Sequence, residues 1–162
     1  MRLRVASYNI HRAIGRDGRY EPGRILRVAQ ELNADIIALQ EVDFPRQDHA
    51  PIAPWLAQKT GMIAIGGPVW SREGVGSGNA LLSRYPVDRV RRWDLSVGRH
   101  EPRGALDVEL TICGRTVHVL NTHLGLWPRE RPQQADRLLE LLSLSRRDLT
   151  ILMGDLNEWH GW

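Results

Sequence analysis

This chain of 162 residues has one cysteine, Cys113, and one lysine, Lys59, among its 22 basic side chains. A lone cysteine excludes an intrachain disulfide and points to a reducing, cytoplasmic compartment. With lysine so scarce, the net charge of +3 rests on arginine. Guanidinium forks suit phosphate oxygens, but a coding bias that swapped Lys for Arg along the chain accounts for the composition more simply. The arginines are scattered, so no basic stripe for nucleic acid can be read from them, which argues against a long duplex as partner. The longest apolar stretches, Ile36 to Leu39 and Leu149 to Met153, are far too short to span a bilayer, so no transmembrane segment is expected. Met1 to Val5 leads into a strand pattern rather than a signal-peptide core. No Cys and His cluster has zinc spacing, and neither a Gly-x-Ser-x-Gly elbow nor a Gly-Lys-Ser/Thr phosphate loop occurs. Nucleophilic catalysis and nucleotide binding by those routes are therefore poor fits.

What is present is an ordinary globular composition, 42% hydrophobic and 25% charged, in a chain long enough to bury a core. No repeat or linker divides it, so a single domain over residues 1–162 is expected. Leu3, Val5 and Ser7 alternate with Arg4, Ala6 and Tyr8, predicting a strand from Leu3 to Ile10. Ile25, Val28, Ala29 and Leu32 recur at helical spacing after Pro22, and Asn33 closes that helix. Ile36 to Leu39 reads as a strand buried on both faces, and Ile52 to Thr60 as a short helix stopped by Gly61. The glycine-rich stretch from Gly66 to Gly78 reads as loop. Strands follow at 80–83, 87–95, 105–112 and 116–121, with a hairpin expected at Gly114. Pro132 starts a helix with Ala135, Leu138, Leu139 and Leu142 on one face, and Leu149 to Met153 reads as a last buried strand. Helices alternating with buried strands in places, and hairpins elsewhere, give a mixed α/β class.

Five strand ends carry residues with chemical potential. Asp155 and Asn157, two apart in Gly154-Asp155-Leu156-Asn157, share a side if the backbone is extended. A carboxylate there can take a proton from water while the amide donates to an oxygen gaining charge. Asn9 and His11 close the first strand on one side, so His11 is a candidate substrate contact. Glu41 follows the buried strand through Gln40, and a carboxylate in that position needs a partner. A divalent cation or an arginine would serve; Mg²⁺ takes one or two protein carboxylates plus water and phosphate oxygens, and Glu41 with Asn9 would suffice. Asn79 opens another strand. His123 ends a strand among small polar residues, on the opposite side from His118, which reads as structural. Arg103 precedes a strand, placed to clamp phosphate or to form a surface ion pair. Trp127 and Trp159 either fill the core or stack on a base or lipid.

Ser7-Tyr8-Asn9-Ile10-His11, Leu39-Gln40-Glu41-Val42-Asp43, Gly78-Asn79-Ala80-Leu81-Leu82-Ser83-Arg84-Tyr85-Pro86, Asn121-Thr122-His123-Leu124 and Gly154-Asp155-Leu156-Asn157 occur in this order. The series resembles the endonuclease/exonuclease/phosphatase superfamily of metal-dependent phosphodiesterases, which includes DNase I-like nucleases and sphingomyelinases. The resemblance implies a four-layer α/β sandwich of two packed, mostly antiparallel sheets flanked by helices. It implies Glu41 as the main ligand of Mg²⁺ (Mn²⁺ as alternative), with Asn9 beside it. It makes His123 a donor to the scissile phosphate, Asp155 the residue that orients or deprotonates water, and Asn157 a contact to phosphate or water. Asn79 and Arg103 become phosphate contacts. The substrate is a phosphoester, with nucleic acid, a phospholipid head group and a small phosphodiester all open.

The family motif continues to a closing Ser-Asp-His that this sequence lacks. The expectation is a domain incomplete at its C-terminus, without the last strands of the second sheet. An open sheet edge should follow, with a rate lowered by about 10²-fold or more. Two readings stand: a metal-dependent phosphoesterase, or a catalytically silent domain binding a phosphate ligand or a partner protein.

Overall fold

The computed structural model describes residues 2–44, 51–71, 74–143 and 149–158. The first strand, β1, spans Val5–Asn9, and β2 spans Ile36–Asp43. Between them α1, Pro22–Leu32, begins at its proline and ends where Asn33 takes left-handed backbone, φ 42°. A proline in the first turn loses no helical hydrogen bond, and asparagine tolerates the left-handed cap. This strand–helix–strand link lays β1 parallel to β2, with Asn9 beside Gln40. The second helix, α2, covers Ile52–Thr60 and stops at Gly61, as the pattern predicts.

Within the stretch from Gly66 to Gly78, the described part (residues 66–71 and 74–78) is not loop. It forms most of an antiparallel hairpin of β3, Ile63–Ser71, with β4, Gly74–Ser83. Gly67 and Gly78 serve close packing rather than turning. A Cβ on Gly67 would lie 2.9 Å from Leu106 Cβ, and one on Gly78 would lie 2.4 Å from the Gly67 carbonyl oxygen. Pro68 is tolerated because β3 is the edge of its sheet, where a missing N–H costs least.

A meander follows: β5 Val87–Asp94, β6 Gly104–Ile112 and β7 Arg115–His123. The β6–β7 turn is Cys113-Gly114, both residues left-handed at φ 50° and 73°, a geometry that matches strand twist. The third helix, α3, Arg131–Ser143, precedes β8, Leu149–Asp155, which pairs parallel with β7. The buried stripe of α3 is rotated from the expected face: Leu138 is buried and Leu139 is 62% exposed. Nor is β8 a buried strand. Among the described residues it pairs only with β7, and Leu149 and Leu152 are 42% and 41% exposed at that edge.

The strands form two sheets, ordered β1-β2-β4-β3 and β5-β6-β7-β8, each with one parallel and two antiparallel pairs. The inner faces meet in a core of Ile36, Ala38 and Leu81 against Leu106, Val108 and Val119. Helices α1 and α2 cover the outer face of the first sheet through Ile25, Ala29, Leu56 and Ala57. Helix α3 covers the other through Leu138. The result is the expected four-layer α/β sandwich. On the outer face of the second sheet, buried His118 contacts Asp107, which also accepts from Trp93 Nε1 at 3.0 Å and Arg91 Nε at 3.0 Å. His118 thus belongs to a structural network. Among the described residues no helix is long and apolar enough to cross a membrane.

Candidate active site

The ends of β1, β2, β7 and β8 converge at one rim of the sandwich, and Asn9 joins them. Its Nδ2 donates to Glu41 Oε1 at 2.8 Å and to Asp155 Oδ2 at 3.0 Å. One amide therefore bridges a carboxylate from each sheet. The other end of the amide is fixed too, since Asn9 Oδ1 accepts from the His11 backbone N–H at 3.0 Å. His11 Nδ1 lies 3.5 Å from Glu41 Oε2.

Glu41 reaches this position through an irregularity in β2. Leu39 faces Ala80 and Val42 faces Gly78, so Gln40 and Glu41 together oppose Asn79 alone. That is a β-bulge, and Glu41 occupies it at φ 52°, where glycine is usual. In a regular strand Glu41 would follow Leu39 onto the outer face beneath the helices. The bulge points it at the rim and returns Val42 to the helix-covered core.

From the second sheet come His123, Asp155 and Asn157. Asp155 and Asn157 meet through a turn, not an extended backbone. Asn157 sits at φ 52°, and its N–H donates to Asp155 Oδ1 at 3.0 Å. Asn157 Nδ2 donates to the Leu124 carbonyl at 2.7 Å and lies 3.0 Å from His123 Nε2. Both hydrogens of that amide are thereby used, and Nε2 of the histidine must accept. The ring proton of neutral His123 then sits on Nδ1. Asp155 Oδ2 is 3.9 Å from the same ring.

Arg103 is buried and lines a narrow cleft with Glu41, Asn79 and His123. Its Nε donates to the Leu124 carbonyl at 3.2 Å and its Nη2 to Glu101 at 2.8 Å. Asn79 turns its amide hydrogens toward the Gly104 and Asn121 carbonyls, at 2.8 and 3.5 Å, leaving buried Oδ1 without a partner among the described residues. Its free atom is therefore an acceptor. A second opening, about 400 Å³, reaches the Asn9–Asp155 pair between the β1 and β8 edges, past Ser7, Gln40 and Leu156. The structure thus gathers all eight predicted side chains. Trp127 is 63% exposed beside His100, with ring centroids 6.2 Å apart, so it does not fill the core; Trp159 lies outside the described residues.

Two features escaped the sequence. Three consecutive left-handed residues, His11, Arg12 and Ala13 at φ 46°, 55° and 59°, aim Arg12 at the rim, 3.6 Å from Asp43. Buried Gln40 and Asn121 are hydrogen-bonded across the sheets at 2.8 Å. No periodicity announces either feature.

Burial, and then the charge of Arg103, hold the His123 imidazole below its ordinary value of 6.5, outweighing Asp155 and Glu41. Burial would raise Asp155, but hydrogen bonds from Asn9 and the Asn157 N–H prevail and hold it below its ordinary value. At neutral pH Asp155 is therefore a carboxylate and His123 a neutral imidazole. Because the folded state resists protonating His123, the unfolded chain binds more protons as pH falls below 6.5, and folding stability should fall with it. In an NMR pH titration of the metal-free protein, the His123 ring resonances should shift with a midpoint below 6.5. A midpoint at or above that value would contradict this picture.

The donor set suits a hard cation. Among the described residues neither Glu41 nor Asp155 has an Arg or Lys ion-pair partner, each meeting only a histidine. No three His, Cys, Asp or Glu side chains among the described residues gather as ligands. The two carboxylates are oxygen donors of the kind a hard divalent cation takes together with water and substrate oxygens, whereas Asn9 presents only its amide hydrogens to them and its Oδ1 to the His11 N–H.

The model of the Endonuclease/Exonuclease/phosphatase family matches residues 6–162. The uncharacterized protein YbhP of Escherichia coli (strain K12) is 28% identical over 170 residues, covering 97% of this chain and 67% of that protein. An endonuclease/exonuclease/phosphatase from Beutenbergia cavernae DSM 12333 superposes with TM-score 0.80 at 27% identity, over 97% of this chain and 48% of that one. The mannosyl-6-phosphatase Bt3783 of Bacteroides thetaiotaomicron VPI-5482 shares the fold, with TM-score 0.77, 22% identity, and coverage of 96% and 66%. The chain thus spans about half the length of the first of these structures.

Proposed function

The chain belongs to the endonuclease/exonuclease/phosphatase family, and on that premise we propose that it is a divalent-metal-dependent hydrolase of phosphoester bonds. The observation that carries this reading is the Asn9 bridge between Glu41 and Asp155, which sets two carboxylates from different sheets around one small volume. Glu41 would hold Mg²⁺, or Mn²⁺ in its place, and Asn9 would join it by turning its amide to present Oδ1 in place of the hydrogens it now donates; the ion when bound supplies Lewis-acid polarisation of a phosphoryl oxygen.

Asp155, kept ionised by Asn9 and the Asn157 N–H, orients the attacking water and takes its proton. The water oxygen bonds to phosphorus as the ester P–O bond breaks, and the leaving oxygen takes up a proton. His123 presents its Nδ1–H to the phosphoryl group, and Asn157 acts by fixing that tautomer. Arg103 adds positive potential beside the cleft, favouring the charge that develops on phosphoryl oxygens. His11 contributes at the rim. Asn79 lines the cleft with both amide hydrogens given to the Gly104 and Asn121 carbonyls, so it contributes by shaping the site. Phosphodiesters are the substrate class placed first. A fold shared with a mannosyl-6-phosphatase keeps monoesters in view.

The test is hydrolysis of bis-(4-nitrophenyl) phosphate in Mg²⁺ or Mn²⁺, with and without chelator. Turnover should require the metal and fall roughly 10²- to 10⁴-fold in Asp155→Asn. Turnover that survives chelation, or that the substitution leaves intact, overturns the proposal. A folded chain with no turnover at all favours the silent phosphate- or partner-binding domain.

A further inference from the structure

The bulge that aims Glu41 leaves β2 and β4 locally out of step, and a side chain from the other sheet reaches into the gap. Asn121, fully buried on β7, donates from Nδ2 to the Ala80 carbonyl at 2.8 Å and to the Leu39 carbonyl at 3.1 Å. Leu39 and Ala80 are the last pair in register before the bulge. The amide is held from behind, because Gln40 Nε2 donates to Asn121 Oδ1 at 2.8 Å and to Ser7 Oγ at 3.2 Å. Gln40 is itself one of the two bulge residues. The exchange runs both ways: Asn79, opposite the bulge, sends its own amide to the Gly104 and Asn121 carbonyls.

We propose that Asn121 is a positioning residue whose amide, inserted from one sheet into the β2–β4 seam of the other, holds the bulge that turns Glu41 into the cleft. Without those two donors, two buried carbonyls lose a partner. The seam can recover hydrogen bonds by closing to regular register, which would carry Glu41 off the rim. In its reference to metal and substrate the inference rests on the function proposed above; its structural claim does not.

Three measurements on the full chain test it. In metal-free protein, the backbone ¹³C shifts and coupling of Glu41 should report left-handed backbone in the wild type, and Asn121→Leu should move them toward extended values. Mn²⁺ affinity, measured by electron paramagnetic resonance, should weaken on the order of 10-fold or more, as when the partner of a metal ligand is removed. Val108→Ala, an equally buried inter-sheet change with no bond to the bulge, should alter neither readout. If Asn121→Leu fails to fold, Asn121→Ser replaces it, since the shorter side chain cannot span both carbonyls. Left-handed Glu41 and unchanged Mn²⁺ affinity in the folded variant would overturn the proposal. A shift at Glu41 in a protein whose wild type binds no Mn²⁺ would uphold the clamp and remove the hydrolase.

Discussion

Glu41→Gly and Glu41→Ala should both lose phosphodiester hydrolysis by about 10³-fold, yet the glycine variant should be the more stable of the two by about 1 kcal/mol. Removing the carboxylate proposed to hold the cation forfeits several kcal/mol of charge stabilisation in the transition state, and each 1.4 kcal/mol is roughly tenfold in rate. Stability follows a different rule. Both substitutions delete the same contacts to Asn9 and His11, so their difference isolates the backbone. At φ 52° alanine keeps the left-handed strain and glycine relieves it. In ordinary strand positions glycine is the worse residue, so the order should invert here. Denaturant unfolding of the two variants decides the matter. Alanine equal to or more stable than glycine would mean that Glu41 is not strained in solution.

Gly154→Ala should destabilise the chain by about 3 kcal/mol and disable the site. Gly154 sits at φ 152°, opposite Thr122 in the parallel β7–β8 pair. A Cβ there would lie 2.0 Å from the Thr122 carbonyl oxygen and 2.8 Å from its carbon. Both are backbone atoms of a strand buried in the sandwich and cannot rotate away. The end of β8 must therefore lift, and Asp155, the next residue, moves with it. Its 3.0 Å bond from Asn9 is the contact most exposed to that shift. Strain at a glycine-only conformation combined with a main-chain clash justifies the large magnitude. A variant within 1 kcal/mol of wild type by chemical denaturation would show that β8 ends elsewhere in solution.

These two positions also show what the sequence reveals and what it hides. Helix limits were legible because local chemistry sets them: Pro22 starts α1, Asn33 ends it, and Gly61 ends α2. Most of the polar residues at the rim were legible because they stand at or beside strand ends in short motifs, whereas Asn79, expected to open a strand, lies inside β4 opposite the bulge. The β3–β4 hairpin was not legible. Glycine signals turns when it supplies unusual backbone angles, but Gly67 and Gly78 are there to let strands approach, and spacing cannot separate the two uses. The Glu41 bulge was hidden for a related reason. Ile36 to Leu39 is apolar on both faces, so no alternation exists to show where the register slips. The edge position of β8 depends on which strand lies beside it, a long-range fact that a five-residue apolar run does not carry.

Asn9, Glu41 and Asn79 belong to one sheet, and Arg103, His123 and Asp155 belong to or flank strands of the other. The chemistry proposed for the rim is consequently a gauge of sliding between two slabs. Mild urea or hydrostatic pressure that shears them by an ångström would extinguish turnover while circular dichroism still reported every strand and helix intact.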